Sequence, residues 1–278
     1  MKEGKPSQTA SMVAYFRAVA HLGVTSAKGF QDPTAEHLLP TPWAQLFRLT
    51  QRRARKAPQS LANARRGTDL LALRTLTIDA HVRDALAQGA RQLVILGAGL
   101  DGRAYRLREL SDVRVFEVDH PATQAWKQRR ASVLPVMAKS LAFVPVDFER
   151  DSLDAALTRA GHDSSAPTVW IWEGVVMYLT TEALRTTLRV LTARSAPGST
   201  AIIQYNTHRS MPGPLSLLLR IWREPQISMH TPEVMAAELG AVGFHVIADS
   251  GIDDWARRFD ATSPGHMRQG SRVVAARK

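Results

Sequence analysis

Cysteine is absent from all 278 residues. That excludes disulfides, thiolate metal sites and a cysteine nucleophile, and it fits a reducing compartment, so a cytoplasmic protein is expected. Long apolar runs are missing as well. Nothing approaches the roughly 18 to 20 residues needed to cross a bilayer, and Met1 to Val24 is broken by Arg17 and His21, so neither a signal peptide nor a membrane anchor is expected. Also lacking are an H-E-x-x-H pair, a convincing nucleophile triad and any cluster of metal ligands, so no metal is expected. No internal repeat or low-complexity tract stands out, and no pattern sets an oligomeric state.

What is present is a basic chain with 45% hydrophobic residues and a formal charge of +11. A core of useful size is within reach, and anions of any kind would be attracted. The one dense basic cluster, Arg52, Arg53, Arg55 and Lys56, reads as the solvated face of a helix, which leaves nucleic acid a less favoured partner. Residues 1–90 read as an N-terminal helical cap, with helical periodicity at Ser11 to Leu22, Pro42 to Lys56 and Thr68 to Gln88. From residue 91 to 278 strand-length apolar runs alternate with helices: Leu93–Leu96, Val113–Val118, Leu141–Val146, Val169–Trp172, Thr200–Tyr205, Phe244–Ala248 and Arg272–Ala276. Such alternation requires crossovers, hence an α/β fold with a mostly parallel seven-stranded sheet. The weak helix signal before the last run places that strand antiparallel. Residues 206–228, with Pro212, Gly213, Pro214 and Pro225, interrupt the alternation and read as an inserted lid, the whole forming one integrated unit.

The strongest local signal is Leu93 to Gly102, an apolar strand entering a glycine turn. Gly97, Gly99 and Gly102 satisfy G-x-G-x-x-G, and Glu117 or Asp119 lies about 20 residues on, where a ribose hydroxyl is gripped. Taken alone, the loop suits a dinucleotide as well as S-adenosylmethionine. Two observations favour the second. A Tyr followed four residues later by Lys is absent, since Tyr15, Tyr105, Tyr178 and Tyr205 are followed there by Val19, Glu109, Glu182 and Arg209. The strand ends carry Glu117 and Asp119, Asp147 and Phe148, and Glu173, and so many carboxylates repel a pyrophosphate but attract a sulfonium.

The runs Val94 to Leu107, Val115 to Pro121 with Lys127, and Trp170 to Leu179 resemble the leucine carboxyl methyltransferase family, strongly from Arg91 to Leu179 and weakly from Ala10 to Arg74. The resemblance implies a Rossmann-like class I methyltransferase that binds S-adenosylmethionine and releases S-adenosylhomocysteine. It implies that Arg74 meets the methionine carboxylate, that Gly97, Ala98 and Gly99 form the loop beneath it, and that Asp119 holds the ribose. Asp147 and Phe148 would contact adenine, and Glu173 the methionine amino group. Two plain alternatives stand beside this: Arg74 as an exposed helix residue, and Asp147 as a helix cap. The departure is Gly102, where the family usually has Thr.

Methyl transfer from a sulfonium is a direct displacement, so alignment and exclusion of water suffice. A carboxylate acceptor, ionised at neutral pH, needs no base. The substrate expected is therefore a small-molecule or peptide carboxylate. Arg17, Tyr178, Tyr205, Asn206 and His208 are candidates to orient it, in an apolar pocket furnished by Trp172, Met177, Trp222 and Met229. A phenol or alcohol acceptor would require a base, for which His208 and His230 are available. An NAD-dependent oxidoreductase remains the alternative on the glycine fingerprint, and an RNA-modifying methyltransferase on the charge.

Overall fold

The computed structural model describes residues 7–56, 61–148, 150–207, 227–263 and 270–278, with the side chains of 62–64 and 66 left aside. Four helices come first: α1 (Gln8–His21), α2 (Ala35–Leu38), α3 (Thr41–Lys56) and α4 (Ala62–Ala87). The Ser7 hydroxyl accepts from Ala10 N at 3.2 Å to start α1, and the helix gives way at Gly23, whose φ of +86° suits glycine. Beyond them the chain alternates: β1 (Gln92–Leu96), α5 (Arg103–Arg106), β2 (Arg114–Asp119), α6 (Pro121–Ala131), β3 (Ser140–Pro145), α7 (Leu153–Arg159), β4 (Thr168–Trp172), α8 (Thr181–Ala193) and β5 (Thr200–Asn206). After the undescribed 208–226 come α9 (Pro232–Gly240), β6 (His245–Gly251), α10 (Ile252–Arg258) and β7 (Ser271–Arg277).

The seven strands lie in the order β3-β2-β1-β4-β5-β7-β6. Strands β1 to β5 pair in parallel, whereas β7 enters antiparallel between β5 and β6. The expected strand set and the reversed last strand are therefore found, each run shifted by a few residues at most. The largest difference is β6, which continues to Gly251 past a register shift between Val246 and Ala248. Its added length is held by Arg272 Nε, which donates to Asp249 Oδ1 at 2.9 Å.

Every residue of β1 and β4 is buried, which explains why both read as unbroken apolar runs: helices cover both faces. Leu93 and Ile95 face a core shared with Leu73, Ile78 and Val82 of α4, while Val94 and Leu96 face α7 and α8 through Leu157 and Leu188. The N-terminal helices thus pack into the same core as one sheet face. Strand order reverses between β1 and β4, and open α/β sheets bind ligands at the carboxyl ends of the strands beside such a reversal. Of the lid expected over 206–228, only Asn206, Thr207, Ile227 and Ser228 are described; His208 and Trp222 lie outside the described residues. Among the described residues, no helix is long and apolar enough to cross a membrane.

Candidate functional site

The chain leaves β1 through Gly97 and Gly99, at φ +64° and +49°, a region that side-chain-bearing residues rarely enter. A Cβ on Gly97 would overlap a Val175 methyl, so the turn needs glycine for space as well as for angle. Asp119, at the end of β2, closes the turn from outside: its carboxylate accepts from Gly99 N, and from His120 N at 2.6 Å. Burial pushes this carboxyl above the usual range, with the amides of Gly99 and His120 opposing. Two residues earlier on the same face of β2, Glu117 is buried against Lys127 of α6, with Nζ 2.5 Å from Oε2. Glu117 Oε1 has no hydrogen-bond donor among the described residues. Burial outweighs the ammonium and pushes Glu117 up to about 7.

Beside the glycine turn lies a dense set of buried ion pairs. Glu173, following β4, takes Arg74 Nε on Oε1 at 2.8 Å and Arg103 Nη1 on Oε2 at 2.9 Å. Arg103 also reaches Asp79 Oδ1 of α4 through Nε at 2.7 Å, and the Asp101 carboxylate through Nη1. Its Nη2 is buried without a partner among the described residues. Burial by itself would raise Glu173, but Arg74 and Arg103 hold it below the usual carboxylate range. Arg106 brackets Asp79 through Nη1 at 2.7 Å and Nη2 at 3.0 Å. Arg17 pairs with Asp32 at 3.1 Å and donates to Leu100 O at 2.5 Å, bracing the glycine loop from α1.

Gly102 has a steric reason. A Cβ there would overlap the Thr34 hydroxyl, which itself donates to Asp32 Oδ1 at 2.6 Å. The loop between α1 and α2 therefore occupies the space that a larger residue 102 would fill. Gly102→Thr is expected to unseat that loop and lower the thermal midpoint by about 5 °C or more, the shift produced by an overpacking cost of about 2 kcal/mol in a chain of this size. Combining it with Thr34→Ala should recover part of the loss in a thermal melt; no recovery would remove this account of Gly102.

The other residues singled out from sequence are placed as follows. Arg74 is buried in the Glu173 pair. Asp147 follows β3, near the end of β2 because Val146 N donates to Asp119 O at 2.9 Å, and its own N–H is bound by Asp151 Oδ2 at 2.8 Å. Phe148 is half exposed at 46%. Tyr178 lies on the turn after Glu173, to which the chain returns beyond the undescribed segment: Ile227 N donates to Met177 O at 2.8 Å. Tyr205 is buried with its hydroxyl donating to Asp249 at 2.6 Å. The Asn206 side chain accepts from Gln204 at 3.0 Å. Trp172 and Met177 are buried and Met229 is exposed. His230 is buried, with Nε2 lacking a partner among the described residues. Sequence reading missed Asp79, Asp101, Arg103 and Arg106 as a cluster, because their partners are 24 to 70 residues away or carry no spacing signal.

The site thus combines a glycine turn at the reversal of strand order with acidic residues at three strand ends, on a mostly parallel sheet in which β7 runs antiparallel between β5 and β6. The family model for leucine carboxyl methyltransferase matches residues 10–192. The chain belongs to that family. Among sequence relatives, a protein named "Putative S-adenosyl-L-methionine-dependent methyltransferase" from Mycobacterium ulcerans is 36% identical over 205 residues, covering 70% of this chain and 64% of that protein. One of the same name from Mycobacterium avium is 46% identical over 130 residues, covering 46% of this chain and 41% of that protein. The chain thus spans less than two thirds of the length of these relatives. A DUF574 family protein from Streptomyces avermitilis shares the fold over 99% of this chain and 98% of its own, with a TM-score of 0.60 and 17% identity. The magnesium protoporphyrin IX methyltransferase of Synechocystis, solved with bound S-adenosylhomocysteine, covers 75% of this chain and 85% of its own at a TM-score of 0.50 and 14% identity. The fold of this leucine carboxyl methyltransferase family member is that of the class I methyltransferases.

Proposed function

We propose that this chain is an S-adenosylmethionine-dependent methyltransferase acting on a carboxylate of a small molecule or a peptide terminus. The observation that carries the reading is the pair of Arg74 and Glu173 beside the glycine turn, at 2.8 Å. An opposed guanidinium and carboxylate complement an amino-acid zwitterion, which a nicotinamide dinucleotide lacks. The residues present fit such a cofactor. Gly97 and Gly99 hold the turn at positive φ, the buried Nη2 of Arg103 is a donor without a partner among the described residues, and Asp119 presents a carboxylate at the end of β2 for ribose hydroxyls. Asp147 and Phe148 follow the neighbouring strand end, where the adenine would lie.

When bound, S-adenosylmethionine supplies a methyl group on a positively charged sulfur, open to displacement. The chain's part is to fix the amino-acid end between Arg74 and Glu173 and the ribose at Asp119, leaving the acceptor side free of competing water. A carboxylate acceptor arrives ionised, so no residue must take a proton. A hydroxyl acceptor is the second reading, favoured by His230, whose buried Nε2 has no partner among the described residues; burial pushes its imidazole below the usual range, so it is neutral at pH 7 and a weaker base than a free imidazole.

The two readings separate by product chemistry. With methyl-labelled S-adenosylmethionine and a panel of carboxylic acids and phenols, the first expects a product that releases labelled methanol in mild base, and the second a base-stable ether. Calorimetry with NAD covers the oxidoreductase alternative, since tight NAD binding without S-adenosylmethionine binding would displace both.

A further inference from the structure

We propose that Arg103 is a positioning residue that aims Glu173 at the amino-acid end of the cofactor, and that Asp79 of α4 holds Arg103 in place for this task. The inference rests on the cofactor reading above and adds to it a role for the N-terminal helices: they set the affinity of the site through buried charge. The geometry divides the labour between two arginines. Glu173 is gripped on one oxygen by Arg74 and on the other by Arg103. A ligand zwitterion must draw one of these arginines to its own carboxylate while Glu173 receives its ammonium. Arg74, whose side chain retains 9% exposure, is the one that can turn. Arg103 is fixed, with 1% exposure and three carboxylates around it: Asp79, Asp101 and Glu173.

Asp79 does not touch Glu173. Among the described residues it reaches Glu173 through Arg103 Nε, and it is itself bracketed by Arg106. Because Arg74 and Asp79 both belong to α4, one helix carries the arginine that turns and the carboxylate that anchors the one that does not. In a buried, low-dielectric setting, removal of any member leaves an unbalanced charge that shifts its neighbours. The charged groups facing Glu173 are Arg74 of α4, Arg103 of α5, Asp101 of the glycine loop and Arg17 of α1, and the arginines outweigh burial and Asp101 to keep it ionised. With Arg103 neutralised, burial and Asp101 gain, so the Glu173 carboxyl rises and its ionised form is lost as pH falls.

The test is calorimetric titration of the full chain with S-adenosylhomocysteine between pH 5.5 and 8, with thermal melts to confirm folding. Wild-type affinity is expected to be flat across that range. Arg103→Gln should weaken binding about tenfold at pH 8 and at least fivefold further at pH 5.5, whereas Arg103→Lys should restore most of the affinity and the flat profile. Asp79→Asn, which keeps the shape and removes the anchor's charge, should weaken binding about threefold to tenfold. It decides the matter if Arg103→Gln does not fold. Variants that fold and bind as tightly as wild type, with the same pH profile, overturn this inference alone. A wild-type chain that does not bind S-adenosylhomocysteine overturns the cofactor reading and this inference with it.

Discussion

Glu173→Gln is expected to lower the affinity for S-adenosylmethionine by about 10-fold to 100-fold while leaving the sheet intact. The carboxylate accepts from two guanidinium groups at 2.8 and 2.9 Å, and it is the anion proposed to meet the ligand ammonium. A hydrogen bond to a charged group contributes about 1.5–3 kcal/mol, which corresponds to that range. Glutamine keeps the shape and one acceptor oxygen but removes the charge, so Arg74 and Arg103 would face each other with less compensation. Calorimetry with S-adenosylhomocysteine reads the affinity, and far-ultraviolet dichroism reads the fold. A folded variant with wild-type affinity would remove Glu173 from the site and, with it, the zwitterion argument.

Lys127→Met should destabilise the chain by about 3–5 kcal/mol at pH 8, the cost of leaving a buried charge without its partner. Glu117 and Lys127 are each 1% exposed and meet at 2.5 Å, and Asp119 and Asp101 add negative charge nearby. Burial already pushes Glu117 up to about 7 in the intact protein. A folded-state value raised above the unfolded one means that protonation favours the fold. That contribution is fully present below the ordinary carboxyl range and is lost as pH rises through about 7. At pH 5.5 the carboxyl of Lys127→Met takes a proton at little cost, and the loss should shrink to less than half. Urea denaturation at both pH values measures this, and adding Glu117→Gln should restore most of the stability at pH 8. Equal losses at the two pH values would show that Lys127 acts through packing of its aliphatic stem.

The contrast between these two carboxylates is a matter of depth. Glu117 and Asp119 share a face of β2, but Asp119 stands at the strand end, where the Gly99 and His120 amides meet it, and Glu117 lies one pleat deeper against α6. From sequence both are acceptable ribose ligands at the same spacing. Only the length of β2 and the seat of Lys127 separate a group at the crevice from one sealed beneath it.

Secondary structure and sheet architecture were legible because they are written in short-range patterns. The unbroken apolar runs of β1 and β4 announce strands covered on both faces, and the glycine pair 97 and 99 announces a turn that no larger residue fits. The resemblance carried by residues 94–107, 115–121 and 170–179 extended this to the family. The N-terminal helices were legible as helices, but their purpose was not. Nothing in the periodicity of α4 says that Arg74 and Asp79 reach the end of β4 and the start of α5, and nothing near Gly102 says that Thr34 fills the space beside it.

Local order and the glycine turn thus followed from the sequence alone, since each depends on neighbours two to four positions away and on backbone angles that few residues adopt, and strand polarity followed from the helical crossovers between the runs. Which charges neutralise which was decided only by the tertiary structure. Arg74 and Glu173 are 99 positions apart and Arg103 and Glu173 are 70 apart. A buried ion pair depends on distance and dielectric, and both are set by packing.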